Sequence, residues 1–328
     1  MRPRRSKRLR ALAALLLASG AAVHRASAQD LSREGALFLL LPVGARSVGM
    51  GEAVVAQRGG SESVWWNPAA LDASEKREAA IHHSQSIIGN GNALTIVIPS
   101  SLLGVLAASV DIVNYGEQEV TIDPTSIGTV IPRSFIYQAS YATSIGSRIS
   151  AGISYKILQF RVDCTGPCPS TGVFSASSSA LDFGAQFRTN SKDIPLVFGV
   201  AVRNVGVRFQ VNDNPQSDPL PTRLQIGAQY LFAVPASIAS DTEINLEVDG
   251  VGELSFRHPA ARVGTEISWQ RRAHLRAGYI FDDAEAGGPT IGLGIAVGTV
   301  SVDLGRIVSG LSADAGQAPT FLSLRVLF

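Results

Sequence analysis

The chain has 328 residues, of which 45% are hydrophobic, 17% are charged and 32 are glycine. A soluble domain usually carries about a quarter charged residues, so this chain is short of charge. Its 28 basic and 27 acidic residues exclude a strongly basic nucleic-acid-binding protein, and its hydrophobic content excludes a disordered chain.

The first 28 residues have the parts of a secretory signal peptide. Six basic residues between Arg2 and Arg10 precede an apolar run over 11–23, and small residues follow at Ala26-Ser27-Ala28. The apolar run is shorter than the roughly 20 residues that a membrane-spanning helix needs. We predict cleavage after Ala28, which leaves an exported chain with 21 basic and 27 acidic residues.

No later segment is apolar for long enough to cross a membrane as a helix. The nearest candidate, residues 94–113, is interrupted by Pro99 and Asp111. In hydrocarbon every backbone N–H and C=O group needs an internal partner, and only helices and closed barrels provide one. An exported, apolar chain without a spanning helix is therefore predicted to be a membrane β-barrel.

Residues 29–78 are predicted to form a separate N-terminal segment, because apolar and polar residues do not alternate over most of its length. It is rich in glycine in its first half and contains two tandem tryptophans in its second half. The residues that distinguish it are Gly44, Arg46, Gly49, Gly51, Trp65, Trp66, Asn67, Pro68 and Ala69.

From residue 79 onward, apolar residues alternate with polar or small ones, which predicts β-strands with one apolar face. Ile291, Leu293 and Ile295, for example, alternate with Gly292 and Gly294. A soluble β-sandwich has the same alternation, but apolar faces of nine or ten residues fit tilted transmembrane strands. The fourteen predicted strands are 79–88, 92–98, 103–112, 134–144, 148–161, 179–189, 195–211, 222–232, 241–249, 260–269, 272–281, 289–297, 300–306 and 320–328.

The links between these strands alternate between short and long, except for a short hairpin at Gly89-Asn90-Gly91 and a longer link over 233–240. Outer-membrane barrels have short periplasmic turns and long external loops, so residues 79–328 are predicted to form an outer-membrane β-barrel. The long links are rich in Asp, Gly, Pro and Ser, and they cover 113–133, 162–177, 212–221, 250–258, 282–288 and 307–318.

The last strand ends in a pattern that resembles the signal by which bacterial outer-membrane proteins reach the barrel-assembly machinery. Leu322, Leu324, Val326 and the last residue, Phe328, share one face of this strand. We predict that Leu324, Val326 and Phe328 form this barrel-assembly signal. Other aromatic residues at strand ends are expected to form interfacial girdles, namely Phe187, Phe232 and Trp269 at one end and Phe209 and Phe281 at the other.

Charged residues on the predicted inner face have two interpretations, a salt-bridged lining that supports the N-terminal segment or a transport pathway. We favour the lining, because ion pairs are the ordinary state of charged groups in such a place. The residues are Arg188, Arg203, Arg223, Glu243, Glu247, Arg262, Glu266, Arg276 and Arg325.

Two predicted external loops contain candidate sites. Cys164 and Cys168 are predicted to pair in a disulfide that closes a small loop, because the compartment is oxidising. His258 could meet Asp282 or Asp283 at the outer rim as an acid–base pair. Loop acids and a histidine before a proline are common without catalysis, so we predict no catalytic residue, no metal site and no cofactor.

The N-terminal segment also resembles a known family. The arrangement from Gly44-Ala45-Arg46 through Gly49-Met50-Gly51 to Trp66-Asn67-Pro68-Ala69 is similar to the N-terminal region of FadL-like outer-membrane proteins. It resembles their PorV/PorQ branch most closely, and the predicted strands extend the resemblance over the mature chain. The resemblance implies an all-β, transmembrane antiparallel β-barrel of about 14 strands in the bacterial outer membrane. It also implies that residues 29–78 form a luminal plug, or hatch.

The resemblance implies two alternative functions. The PorV/PorQ branch implies a non-enzymatic accessory to type IX secretion that binds secreted cargo or the secretion translocon. The wider FadL-like family implies a passive channel for hydrophobic small molecules. We favour secretion, because a mature chain of 300 residues has little room for a large external ligand-capturing domain. The expected partners are outer-membrane lipid, the barrel-assembly machinery, and a translocon or cargo, and no nucleic acid.

Overall fold

The computed structural model describes residues 34–122, 125–166, 175–189, 195–211, 217–235, 237, 239–256, 259–281, 287–309 and 318–328. The predicted signal peptide, Cys168, His258, Asp282 and Asp283 lie outside the described residues.

The described residues contain seventeen β-strands, joined in one sheet by antiparallel pairs. Their bounds are β1 (Glu78–Ser86), β2 (Gly89–Ser100), β3 (Gly104–Asn114), β4 (Gln118–Ile122), β5 (Thr125–Ile145), β6 (Ile149–Thr165), β7 (Ser175–Arg188), β8 (Leu196–Gly206), β9 (Phe209–Val211), β10 (Ser217–Asp218), β11 (Arg223–Ala233), β12 (Thr242–Gly252), β13 (Ala260–Trp269), β14 (Ala273–Phe281), β15 (Gly288–Val297), β16 (Val300–Ile307) and β17 (Thr320–Leu327).

Fourteen of these strands close into an antiparallel barrel, which confirms the predicted number and pairing. Each barrel strand pairs with its neighbours in chain order, and β1 pairs with both β2 and β17. The remaining strands, β4, β9 and β10, are short and extend the barrel at the end of the long links. Closure leaves the barrel without a free edge at membrane level, as hydrocarbon requires.

Strand bounds differ from the sequence prediction where strands continue beyond the apolar band. The predicted loop 113–133 is mostly β-structure, because β4 and β5 pair from Gln118↔Val130 to Ile122↔Thr125. The predicted strand 195–211 is divided into β8 and β9. Beyond the membrane, a strand with polar residues on its outward face can still form a backbone hydrogen-bond ladder. Hydrophobic alternation therefore underestimates the length of strands in that region.

The two faces of the barrel have opposite character. Large apolar side chains are exposed on the outer face, for example Leu293, Leu275 and Ile153, while polar residues at alternate positions are buried. Phe281, Phe187 and Trp269 are exposed at strand ends, in line with interfacial girdles. The girdle prediction is wrong for Phe209, because its ring packs inside the fold against Phe38, with ring centroids 6.1 Å apart.

Residues 34–77 form short helical turns joined by tight bends. Their elements are a 3₁₀ turn (Leu37–Leu40), α1 (Ala45–Gly49), α2 (Ser63–Trp66) and a second 3₁₀ turn (Pro68–Ala73). Asn67 caps the second 3₁₀ turn by accepting from the Ala69 N–H, and Pro68 at its first position lacks an N–H that would need a partner.

The apolar residues of this segment are buried more completely than those of the strands. Val48, Met50, Val55, Val64 and Leu71 have no exposed side-chain surface. Over the described residues, none of the helices has the length and apolar character needed to cross a membrane.

Candidate functional site

The candidate site is the contact between residues 34–77 and the polar face of the barrel. Glycines in the strands allow the backbone of the segment to lie directly on the barrel wall. A Cβ at Gly292 would lie 3.0 Å from the Cα of Gly49. A side chain at Gly278 would overlap Gly51, and one at Gly305 would overlap the carbonyl of Ala45. The absence of these side chains therefore creates the space that the segment fills.

A chain of ion pairs joins the segment to four strands. Arg46 of α1 donates two hydrogen bonds to Glu266 on β13, at 3.0 Å from Nε and 2.7 Å from Nη2. Arg276 on β14 bridges Glu266 and Asp303 on β16, and Arg325 on β17 donates to Asp303 at 2.7 Å. Each carboxylate is held by two guanidinium groups, which is the geometry that compensates the desolvation of buried charge.

The surroundings of Arg46 stabilise its charged form. Burial opposes the charged guanidinium, but the neighbouring Glu266 carboxylate outweighs burial, and the pKa of Arg46 lies above its usual value. Arg46 is therefore protonated at any physiological pH.

Glu62 orders the start of α1. Its carboxylate accepts from the backbone N–H groups of Arg46 and Ser47 at 3.2 and 2.8 Å, and it also accepts from the Ser47 hydroxyl. A carboxylate at a helix N-terminus satisfies N–H groups that have no partner within the helix.

Two acidic residues of β12 accept from the next part of the segment. The N–H groups of Val54 and Val55 donate to Asp249 at 2.8 and 3.0 Å, and the N–H of Ala56 donates to Glu247 at 2.6 Å. Gln225 donates to the same oxygen of Asp249. The barrel thus supplies the hydrogen-bond partners of an irregular backbone, which would otherwise be buried without them.

Asn67 holds two parts of the segment together. Its side chain is fully buried, and its amide donates to the Val55 carbonyl at 2.6 Å. Its carbonyl oxygen accepts from Ala69 at 3.1 Å. Gly152 on β6 and Gly184 on β7 leave room for this turn, because side chains there would overlap Pro68 and Asn67.

The tandem tryptophans contact a cationic wall. Trp66 donates from Nε1 to the Val43 carbonyl at 3.0 Å. The Arg203 guanidinium lies 5.0 Å from the Trp66 ring centroid, and Arg262 lies 6.0 Å from it. Cation–π contacts of this kind hold an aromatic ring without an apolar partner on that side.

Residues 34–77 run from the long-link end of the barrel to the short-turn end. At the first end, Glu34 forms a bidentate pair with Arg223 at 2.7 and 2.8 Å, and Gly35 donates to the Pro219 carbonyl. At the other end, Asp72 accepts from Ser150 beside the β5–β6 turn. The segment therefore contacts both ends of the barrel.

The structure places the predicted residues of the N-terminal segment in one contact region. Gly49 and Gly51 touch β15 and β14, Arg46 pairs with β13, and Trp66 and Asn67 lie against β8 and β7. Gly44 has a φ of 101°, which a glycine adopts without strain, and it lies against Glu62.

The set of inner-face charged residues predicted from the sequence lacks several polar residues that the structure buries there. Lys156 and Asp182 form a buried ion pair at 2.6 Å, and His82 contacts Ser323 at 2.8 Å. Asp303 and Asp249 each occupy an inward position between apolar outward neighbours, and that alternation was the signal that could have identified them.

The described part of the chain shows where the other predicted residues lie. Leu324 is exposed on the outer face of the last strand and Val326 is partly exposed, and Phe328, directly after the strand, is exposed. Cys164 lies near the end of β6, at the long-link end of the barrel. No group of three or more His, Cys, Asp or Glu side chains within the described ranges is placed to hold a metal ion.

A closed antiparallel barrel with an apolar outer face and a polar inner face defines an outer-membrane β-barrel protein, and the bacterial outer membrane is its location. The sequence profile of one family, described as type IX secretion system protein PorV, matches residues 26–249. This match covers more than half of the chain, so the chain belongs to the PorV family. No curated relative matches the sequence.

Several solved barrels have a similar fold. The Pseudomonas putida toluene transporter TodX has a TM-score of 0.56 at 12% identity, over 87% of this chain and 96% of that chain. The Ralstonia pickettii toluene transporter TbuX has a TM-score of 0.55 at 12% identity, over 87% and 98%. The monoaromatic hydrocarbon channel CymD has a TM-score of 0.53 at 14% identity, over 88% and 98%. At these identities the likeness is one of fold.

Proposed function

We propose that this chain is a non-enzymatic accessory of protein secretion across the outer membrane, of the type IX kind, which binds the translocon or its cargo. The family match over residues 26–249 supports this proposal, because the family is described as a type IX secretion system protein. Partner recognition in this role takes place on the outer surface or at the rims of the barrel.

We further propose that residues 29–78 are a plug that closes the lumen. Contacts of the described part of this segment support the proposal. Arg46 pairs with Glu266, Val54 donates to Asp249, and Glu34 pairs with Arg223, so the segment is tied to separate strands along its length. A lumen filled in this way suits a protein that binds partners better than one that conducts solutes.

Affinity purification tests the secretion role. The full-length protein is extracted from native outer membranes in mild detergent, and the retained proteins are identified by mass spectrometry. Stoichiometric recovery of a large translocon or of secreted proteins is the expected result. A barrel recovered alone, with bound lipid or another apolar compound, would overturn the secretion role.

A passive channel for hydrophobic small molecules is the second candidate, and one feature favours it. A small cleft beneath the long-link end combines seven apolar side chains with Asp111 and the cations Lys156 and Arg203. The similar structures TodX and TbuX are described as toluene transporters. The apolar side chains are Phe38, Leu39, Leu41, Val43, Trp65, Trp66 and Ile136.

Uptake of toluene by cells with and without the protein tests the channel. A channel requires faster uptake in the presence of the protein. Slower uptake after Trp66→Ala would not by itself demonstrate a channel, because that change also disturbs residues 34–77. Equal uptake in both strains excludes the channel.

Two smaller proposals concern residues outside this site. We propose that Cys164 and Cys168 form a disulfide, which intact-mass measurement of alkylated protein before and after reduction tests. We also propose that Leu324, Val326 and Phe328 form the barrel-assembly signal, because Leu324 is exposed on the last strand and Phe328 is exposed directly after it.

A further inference from the structure

In the part of the chain that the structure describes, the strand β4 is paired on one edge and open on the other. β4 pairs with β5 from Gln118 to Ile122. β3, which precedes β4 and pairs with the same side of β5, pairs with β2 on its opposite edge. The β2–β3 ladder stops at Asn90↔Asn114 because β2 begins at Gly89. Across the described ranges, the pairing registers place no strand beside β4 on the side away from β5. Within the described residues, the N–H and C=O groups on this side of β4 therefore have no strand partner above the short β1–β2 hairpin.

Two exposed isoleucines lie at the base of the open edge. Ile87 and Ile88 form the tip of the β1–β2 hairpin, and each is 50% exposed. Gly89, directly after them, lies so close to Tyr115 that a Cβ would be 3.1 Å from the Tyr115 Cα. Tyr115 begins the bend that leads to β4, so the apolar tip adjoins the open edge.

The open edge is acidic. Glu117 and Glu119 are exposed on β4 and the bend before it. The nearest cation on β5, Arg133, is paired with Asp163 at 3.4 Å and does not neutralise these glutamates. An incoming strand with basic residues would therefore gain attraction here, while an acidic strand would be repelled.

We propose that the β4 edge binds an extended, basic segment of a partner protein, which adds a strand beside Gln118–Ile122 and packs an apolar residue on Ile87 and Ile88. This inference deepens the proposed secretion function and rests on it for the partner being a protein of that pathway. Lipid cannot occupy the edge, because hydrocarbon does not satisfy backbone groups. A second copy is disfavoured, because two β4 edges would bring their glutamates together.

Fluorescence anisotropy with the full-length protein in detergent tests this edge. The probe is a labelled nine-residue peptide of alternating lysine and valine, and its control has glutamate in place of lysine. The lysine peptide is expected to bind more tightly. Glu119→Lys is expected to weaken its binding roughly three- to tenfold. Glu253→Lys makes the same charge change at another exposed glutamate of the long-link end and is expected to leave binding unchanged.

A backbone-methylated form of the lysine peptide separates strand addition from simple charge attraction. Methylation removes the N–H donors that the edge would use, and binding is expected to weaken by about tenfold or more. Equal binding of the lysine and glutamate peptides, equal effects of Glu119→Lys and Glu253→Lys, or equal binding of the methylated peptide would each overturn the proposal.

The peptide experiment is independent of the purification experiment. If the lysine peptide binds the β4 edge but no translocon or secreted protein is recovered, the secretion role is overturned and the edge remains a strand-binding surface. Recovery of the translocon with no peptide binding would overturn the edge alone. Retention of the heat-dependent shift of the barrel on gels shows that Glu119→Lys is folded.

Discussion

Gly49 of α1 and Gly292 of β15 lie back to back, so close that neither position has room for a side chain. A Cβ at Gly49 would be 2.9 Å from the Cα of Gly292, and a Cβ at Gly292 would be 3.0 Å from the Cα of Gly49. This contact joins the predicted motif of the N-terminal segment to a strand glycine far along the chain. The fit of the segment therefore depends on the shape of the barrel wall as well as on its charges.

Replacing Gly292 with valine is expected to displace α1 from β15. Overpacking of a close contact typically costs about 1–3 kcal/mol. The unfolding temperature, followed by the heat-dependent gel shift, should fall. Ala277→Val adds apolar volume on the exposed outer face of β14 and serves as the control. An equal effect of both variants would show that strand propensity, and not the contact with Gly49, determines the result.

Removal of the Arg46 guanidinium is expected to destabilise the protein more than removal of an exposed one. Arg46→Ala leaves the buried Glu266 carboxylate with Arg276 as its remaining ion-pair partner. Loss of one partner from a buried pair costs up to about 3–5 kcal/mol, and partial exposure of Arg46 reduces this cost. Denaturant unfolding of the purified barrel measures the difference.

Arg133→Ala is the matched control, because Arg133 pairs with Asp163 at the solvent-exposed end of the barrel. Its expected cost is at most about 1 kcal/mol. A double variant, Arg46→Ala with Glu266→Gln, should be less unstable than the sum of the two single variants, because the two residues interact. Strict additivity would contradict a direct role of the Arg46–Glu266 pair.

The barrel could be predicted from the sequence because lipid and lumen impose a period of two. The alternation of Ile291, Gly292 and Leu293 survives as outward, inward and outward positions. A closed barrel was predicted because hydrocarbon leaves no other arrangement for an exported, apolar chain without a spanning helix, and the alternation of short and long links supported it. These are local patterns, and they do not depend on knowing which strands carry which partners.

The sequence could not predict irregularities that tertiary contacts create. Asn204 adopts a φ of 63° at a break in the β7–β8 register, so Asn204 as well as Arg203 turns inward. Asn204 then accepts from the buried Lys156 at 2.9 Å. Strict alternation assigns Asn204 to the lipid face, and only the facing residues reveal the bulge.

The pairing partners of the N-terminal segment were also beyond prediction. Arg46 and Glu266 are 220 residues apart in the sequence, and β12 supplies Asp249 to the backbone of Val54. The resemblance implied a luminal segment, and the inner-face charges implied ion pairs. Neither indicated which strand each residue would meet.

Asn67→Ala is expected to loosen residues 53–71 without opening the barrel. The change removes the donor to the Val55 carbonyl and the acceptor of the Ala69 N–H, both buried. An unsatisfied buried group costs about 1–3 kcal/mol. Hydrogen exchange measured by mass spectrometry should increase in this segment while the strands remain protected.

Asn92→Ala serves as the control for Asn67→Ala, because Asn92 is an exposed asparagine that hydrogen-bonds the His83 ring. It should leave exchange in residues 53–71 unchanged. Asn67→Asp keeps the acceptor for Ala69 but loses the donor to Val55, and it is also expected to increase exchange in residues 53–71. Unchanged exchange in both Asn67 variants would contradict a structural role for this side chain.

A charge swap tests where the segment begins. Glu34 and Arg223 form a partly exposed bidentate pair at the long-link end, with donor–acceptor distances of 2.7 and 2.8 Å. Glu34→Arg places two guanidinium groups together, and the first turn of the segment should detach more often. A partly exposed pair stabilises by up to about 1 kcal/mol, so chymotrypsin added to whole cells should cleave near Phe38 roughly two- to fivefold faster.

The double variant Glu34→Arg with Arg223→Glu restores opposite charges and is expected to return cleavage to the original rate. Cleavage that stays fast in the double variant would show that the pair does not hold the segment, and cleavage from the periplasmic side alone would contradict its position at the long-link end.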